Sequence, residues 1–239
     1  MIFTSLEFVF FFLLVLTIRS QLRNFTLEKN FLLVASYVYY ASWSIPCVSL
    51  IIFTSAVDYY VGLKLGEVGA PARRKALLTI SLVLNLGLLG FFKYTNFLIN
   101  GAWGLAEMVG WKLSPIHYEI LLPVGISFFT FQSMSYTIDV YRRKMQPCAS
   151  LRDFLLFVAF FPQLVAGPIV RAATFLPQLL TRVRGSARDF EVGLVLFAIG
   201  AEKKMVFSDQ VSAQVDLIFE NPGATHQGPA QPATACRSR

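Results

Sequence analysis

Few residues in this chain are equipped for proton-transfer or nucleophilic chemistry. There are two histidines, His117 and His226, and three cysteines, Cys47, Cys148 and Cys236. His117 follows Ser114 and Pro115 and precedes Tyr118 and Glu119, so Glu119 is its one acidic neighbour. A general base must lie within hydrogen-bond reach of its partners, and a solvated loop residue is the plainer reading of His117. His226 lies in an Ala-, Gln- and Pro-rich tail and reads as inert. The cysteines are scattered and odd in number, which implies neither a disulfide framework nor a metal site. Cys148 adjoins a basic loop, a setting for S-palmitoylation, but a free thiol is the simpler reading. The sequence contains no phosphate loop, no Cys-x-x-Cys pair and no Gly-x-Ser-x-Gly.

Ionisable residues within or beside apolar runs carry more weight. Each costs about 2.5–3.5 kcal/mol at the centre of a membrane helix on insertion scales. Asp58 falls near the end of one run, before Tyr59 and Tyr60. Asp139 precedes Arg142 and Arg143, and on a continuing helix it pairs with one of them at three- or four-residue spacing, neutralising that helix end. Glu202, Lys203 and Lys204 interrupt the run that begins near Phe190, which predicts a re-entrant or interfacial helix there.

The elements that position these groups follow from composition. Of 239 residues, 55% are hydrophobic and 15% charged, and mean hydropathy is +0.58. A soluble domain carries about 25% charged residues. The charges cluster between apolar runs at about 2–18, 31–45, 47–63, 76–92, 119–138, 154–171 and 190–207. A spanning helix needs roughly 20 apolar residues, so the pattern predicts an all-α, polytopic transmembrane protein. The formal net charge of +7 resides in short loops flanking these runs, the signature of membrane orientation rather than of a nucleic-acid partner.

Charge parity tests the partition. Basic residues gather at 19–29, 64–75, 142–152 and 182–188. No Lys or Arg precedes the first run while Arg19 and Arg23 follow it, so it reads as a retained crossing with its N-terminus outside. Pro46 splits 31–63 into two short helices, which keeps the first two clusters on one side. The mixed stretch 93–118, with Trp103 and Trp111, reads as an outer interfacial segment.

The run 154–171 sets two basic clusters against each other, because one crossing separates them. It contains Pro162, Gly167 and Pro168. A kinked full crossing is one reading. A re-entrant segment that returns to its starting side accounts for both the prolines and the charges. Broken backbone at membrane depth persists only where it is buried in protein or lines a water-filled cavity.

Three of these stretches carry a resemblance. Leu122-Pro123-Val124-Gly125-Ile126-Ser127-Phe128-Phe129, Ser135-Tyr136-Thr137-Ile138-Asp139-Val140-Tyr141-Arg142 and Phe161-Pro162-Gln163-Leu164-Val165-Ala166-Gly167-Pro168-Ile169-Val170-Arg171 resemble consecutive blocks of the membrane-bound O-acyltransferases. The alginate O-acetyltransferase subgroup is the most similar, and the resemblance runs from about residue 1 to 222. It implies a ring of tilted helices around a thin centre, where an acyl donor from the cytoplasm, acetyl or a similar thioester, meets an acceptor hydroxyl from outside. It also implies a histidine acting as general base and no bound cofactor or metal.

On this resemblance Pro162, Gln163, Gly167, Pro168 and Arg171 help to wall the substrate passage. The expected partners are the lipid bilayer and other polysaccharide-modification proteins, in the inner membrane, with the product of alginate type. The family's catalytic histidine belongs to a downstream Trp-His segment, and neither His117 nor His226 matches it. Residues 1–222 therefore read as the N-terminal part of the domain and 223–239 as a disordered tail outside the family pattern. A frameshift or premature stop accounts for such a switch, and the chain alone is expected to be inactive. A non-catalytic membrane fragment is the competing reading. A transporter is a third, since it too uses broken helices, but it predicts an internal duplication that the sequence does not show.

Overall fold

The computed structural model describes residues 5–110, 123, 125–164, 170–182 and 185–220. Among them all regular structure is helical, and the chain divides into two compact units, Met1–Val183 and Arg184–Arg239.

The first unit opens with α1 (Leu6–Gln21) and α2 (Phe25–Ala41). Each starts on a side-chain cap: Ser5 accepts the Phe8 amide and Asn24 that of Thr26. After a short turn α3 (Ile45–Glu67) begins with Pro46 in its first turn, where the missing amide hydrogen is no loss. The expected division of 31–63 is thus present. α4 follows as Pro71–Met108, and α5 as Ile126–Tyr141. Gly125 caps α5 with φ of 77°, a left-handed conformation that a side chain would strain.

α3 and α4 are long and apolar enough to cross a membrane, at 23 and 38 residues. At 1.5 Å per residue they measure about 34 and 57 Å, against about 30 Å of hydrocarbon. Ile80, Val83, Phe91 and Phe97 on α4 are exposed, a surface suited to lipid. The protein is a helical membrane protein. Within the stretch 93–118, expected to lie at the interface, residues 93–108 are helical and continue α4. No proline interrupts it, and the Lys93 ammonium lies over the Tyr94 ring, 5.6 Å from its centroid, without disturbing the ladder.

The core of this unit lies where α5 packs on α3 and α4, and where α6 (Leu151–Ala159) packs on α2 and α3. Tyr59, Tyr136, Phe154 and Phe157 fill it, with Tyr136 and Phe154 rings 4.6 Å apart. Gly62 lets α3 approach α5: a Cβ there would collide with the Tyr136 ring. Close approach through small residues is how helices gain packing energy in lipid, where no hydrophobic force drives them together. The unit ends in short pieces, α7 (Phe161–Leu164), α8 (Ala172–Phe175) and a 3-10 turn (Leu176–Leu179).

Among the described residues of the second unit the helix is unbroken from Ala187 to Glu220. α9 (Ala187–Glu202) begins at a Ser186/Asp189 capping box and passes through a π-helical stretch, Lys203–Ser208, into α10 (Asp209–Glu220). Glu202, Lys203 and Lys204, expected to mark a re-entrant or interfacial helix, therefore lie within a continuous one. The wider π turn brings residues five apart onto one face, and Lys204 pairs with Asp209 at 2.5 Å.

Candidate functional site

The proline-broken segment begins in orthodox fashion. Ser150 accepts the Asp153 amide at 3.3 Å and starts α6. The helix runs for only 9 residues, about 14 Å, with Phe154, Leu156, Phe157, Val158 and Ala159 buried. It stops because Pro162 has no amide hydrogen for the Val158 carbonyl, and its ring would clash with that carbonyl.

The groups freed by this break find partners elsewhere. In a continuing helix the Phe161 amide would serve the Phe157 carbonyl. Here Phe161 donates to Ser36 Oγ on α2 at 3.3 Å. The Phe157 carbonyl accepts from Gln132 Nε2 on α5 at 2.6 Å and from Gln163 Nε2 at 3.0 Å. Ser36, Gln132 and Gln163 are all buried. The break is thus held in the protein interior and satisfied by side chains, the condition under which membrane-depth backbone can leave the helix.

The charged residues collect at one end of this unit. Lys29, near the start of α2, pairs with Asp153 at 2.8 Å with both side chains over nine-tenths buried, and Arg152 reaches the same carboxylate at 3.0 Å. Glu28 receives Arg19 at 2.7 Å and Arg182 at 3.0 Å. Arg182 also donates to the carbonyls of Leu22 and Arg23, the latter at 2.7 Å. Arg74, at the start of α4, donates to the carbonyls of Val140 and Tyr141 at 3.2 and 2.8 Å, and to that of Leu65. All four basic clusters of the sequence therefore send a residue to the same end, although the run 154–171 lies between the third and the fourth.

A buried polar group joins the three longest-packed helices. The Asp58 carboxylate on α3 is fully buried and accepts from Ser81 Oγ at 2.5 Å and Asn85 Nδ2 at 2.8 Å, both on α4, and from Ser133 Oγ on α5. Sequence reading placed Asp58 only as a residue near a run's end. The available signal was the pair of four-residue spacings, Ser81/Asn85 and Ser133/Thr137, each putting two polar groups on one face of an apolar helix.

The passage-wall residues are placed as follows. Pro162 is exposed beside the break, Gln163 is buried in it, and Arg171 caps α8 at the surface. Gly167 and Pro168 lie outside the described residues, as do His117 and His226. The ion pair expected between Asp139 and Arg142 or Arg143 does not form: among the described residues Asp139 pairs with neither. The helix ends first. Arg142 closes α5, and Arg143 turns left-handed at φ of 57°, so the three- and four-residue spacings no longer bring the charges together. Arg74 covers that helix end instead.

Cys148 sits in the loop between α5 and α6, tied down by its amide donating to Tyr136 Oη at 3.0 Å. Burial pushes its thiol above the ordinary range. A less acidic thiol is a poorer nucleophile at neutral pH, which favours the plain free-thiol reading over the acylated one.

Comparison with known proteins adds three findings. The chain is 37% identical over 228 residues to the probable alginate O-acetylase AlgI of Pseudomonas syringae pv. tomato, covering 93% of this chain and 43% of that protein. It is 37% identical over 227 residues to the protein of the same description from Pseudomonas aeruginosa, with the same coverage. It is 31% identical over 251 residues to the peptidoglycan O-acetyltransferase of Helicobacter pylori, covering 92% of this chain and 47% of that protein. The chain thus spans somewhat under half the length of these curated relatives. No family model matches it, and no solved structure does.

Proposed function

We propose that this chain, a member of the membrane-bound O-acyltransferases in the subgroup of the alginate O-acetylases, is part of an enzyme that acetylates an exported polysaccharide. Its homology along nearly its whole length to relatives named for O-acetyl transfer supports the reaction class. The single structural observation that carries the reading is the break at Phe160–Pro162, whose freed Phe161 amide and Phe157 carbonyl are buried and satisfied by Ser36, Gln132 and Gln163. An enzyme that joins a cytoplasmic donor to an external acceptor needs a thin, protein-enclosed centre, and a helix stopped after about 14 Å supplies one wall of it.

The topology that fits is multi-pass in the inner membrane. The end holding Arg19, Lys29, Arg74, Arg152 and Arg182 faces the cytoplasm, and the N-terminus lies outside. The segment from Leu151 to Arg182 then enters and leaves on the cytoplasmic side. Pro162 and Gln163, with Gly167, Pro168 and Arg171, are the proposed wall. The donor is an acyl thioester, and the partners are the bilayer and other polysaccharide-modification proteins. Neither histidine of the sequence matches the family's catalytic motif, so the 239 residues alone are not expected to transfer acetyl groups.

The test has two arms. Deleting the gene should remove base-labile acetate from the cell's exported polysaccharide, and an unchanged acetate content would overturn the reaction class. Single cysteines in place of Lys144 and Gly185 should both be blocked by an impermeant thiol reagent only after the cytoplasmic face is opened. Labelling from opposite faces would overturn the re-entrant topology while leaving the reaction class standing.

A further inference from the structure

Beside the break lies a cavity of about 270 Å³ that shares Pro162 with the proposed passage wall but opens among α1, α2 and α8. Its wall is Phe12 and Leu16 of α1, Leu32 of α2, Phe161 at the break and Phe175 of α8. Its rim, at the charged end, is Arg19, Lys29, Arg182 and Glu28. Phe12 and Arg19 are seven residues apart on α1, so the apolar part extends about 10 Å along the helices from the charges. The cavity is therefore amphiphilic along its length, greasy toward the middle of the helices and ionic at their ends.

The ions at the rim do not balance. Arg19, Lys29 and Arg182 line it with Glu28 as the one carboxylate, so three cations meet one anion; Asp153, behind Lys29 and outside the lining, is itself shared with Arg152. The surplus is reachable. The Arg19 side chain is 46% exposed, and its one ion pair uses Nε, leaving both Nη groups without a partner among the described residues. The Arg182 side chain is 29% exposed. A guanidinium with a free fork is shaped for a phosphate or carboxylate, and basic pockets between membrane helices recognise anionic head groups.

We propose that this cavity binds an anionic phospholipid, its phosphate on Arg19 and Arg182 and one acyl chain against the Phe12–Leu16–Leu32 wall. Charge complementarity selects this occupant. A zwitterionic lipid would bring a cation to a rim that already has two in excess, and free phosphate would leave the apolar wall without a partner. The inference stands on the charge and apolar lining of the cavity, and the lipid-retention test below reads it separately from acetyl transfer.

Native mass spectrometry of the full 239-residue chain, exchanged into detergent with defined lipids, tests it. Phosphatidylglycerol should be retained about tenfold more tightly than phosphatidylcholine, and millimolar inorganic phosphate should not displace it. Arg19→Gln should cut that preference to threefold or less, and Arg19→Lys should keep most of it. Leu16→Trp, which fills the apolar part without touching a charge, should remove the retained lipid while the helix content seen by circular dichroism stays unchanged. Arg182 is left intact because it holds the carbonyls of Leu22 and Arg23. Equal retention of the two lipids would overturn the proposal, and so would no retention of either. Displacement by phosphate, a preference unchanged in Arg19→Gln, or lipid still held by Leu16→Trp would each do the same.

Discussion

Replacing Lys29 by methionine removes the cationic half of a pair that joins the start of α2 to the start of α6. The two side chains are 8% and 7% exposed and 2.8 Å apart. Removing one partner of such a pair costs about 3–5 kcal/mol, because the other charge stays buried without its counter-ion. Asp153 would keep Arg152 at 3.0 Å, whose side chain is 30% exposed, so the lower end applies, about 3 kcal/mol. For a chain of this size that lowers the melting temperature by about 6–12 °C. Asp153→Asn should cost about 2 kcal/mol less than the sum when combined with Lys29→Met, since the pair is then absent rather than broken. The assay is a double-mutant cycle by thermal or denaturant unfolding in micelles. Additivity within about 0.5 kcal/mol, or a loss under about 1 kcal/mol for Lys29→Met alone, would refute the buried pair. The placement of the first and third basic clusters at one end would lose its main support with it.

Three further outcomes follow from the same contacts. Asp58→Leu should destabilise by about 3 kcal/mol, because Ser81, Asn85 and Ser133 lose their common acceptor, whereas Asp58→Asn should cost about 1 kcal/mol; equal unfolding midpoints for the two variants would show the network to be inert. Gly62→Ala should cost about 2 kcal/mol by pushing α3 off the Tyr136 ring, read as a lower melting temperature, and an unchanged one would show that the helices can part without loss. In a Cys47→Ser, Cys236→Ser background, Cys148 should alkylate at pH 7 more slowly than a model thiol. Its raised pKa leaves less thiolate there, so its rate should keep rising with pH after the model thiol has levelled off. A rate matching the model thiol at pH 7 would contradict the partial burial of that thiol.

Much of the architecture is written into single residues and short spacings. Pro46 divides 31–63 because proline suits only the first turn of a helix, and α3 indeed begins there. Pro162 stops α6 because it lacks an amide hydrogen, whatever surrounds it. The spacing rule failed at Asp139 because it presumes a continuing helix, while Arg143 had already turned left-handed. The length of α4 was underestimated because Lys93 reads as a boundary in composition, yet a long side chain can lie along the surface without disturbing the backbone ladder.

Taken by itself, the sequence determined that the chain is helical and membrane-embedded and that its helices divide at Pro46 and Pro162, and its loop charge sets the expectation that the basic clusters share one side. Those properties depend on proline chemistry, on the length of an apolar run and on loop charge, all of which act within one helix or its flanks. The tertiary structure alone decided what satisfies the break and which charges meet. Ser36 lies 125 residues from the amide it accepts, Lys29 lies 124 from its carboxylate and Arg182 lies 159 from the Arg23 carbonyl. A buried donor or acceptor must be paired, but nothing local states with which partner. That choice is made only when distant helices pack and the freed groups come within 3.5 Å of one another.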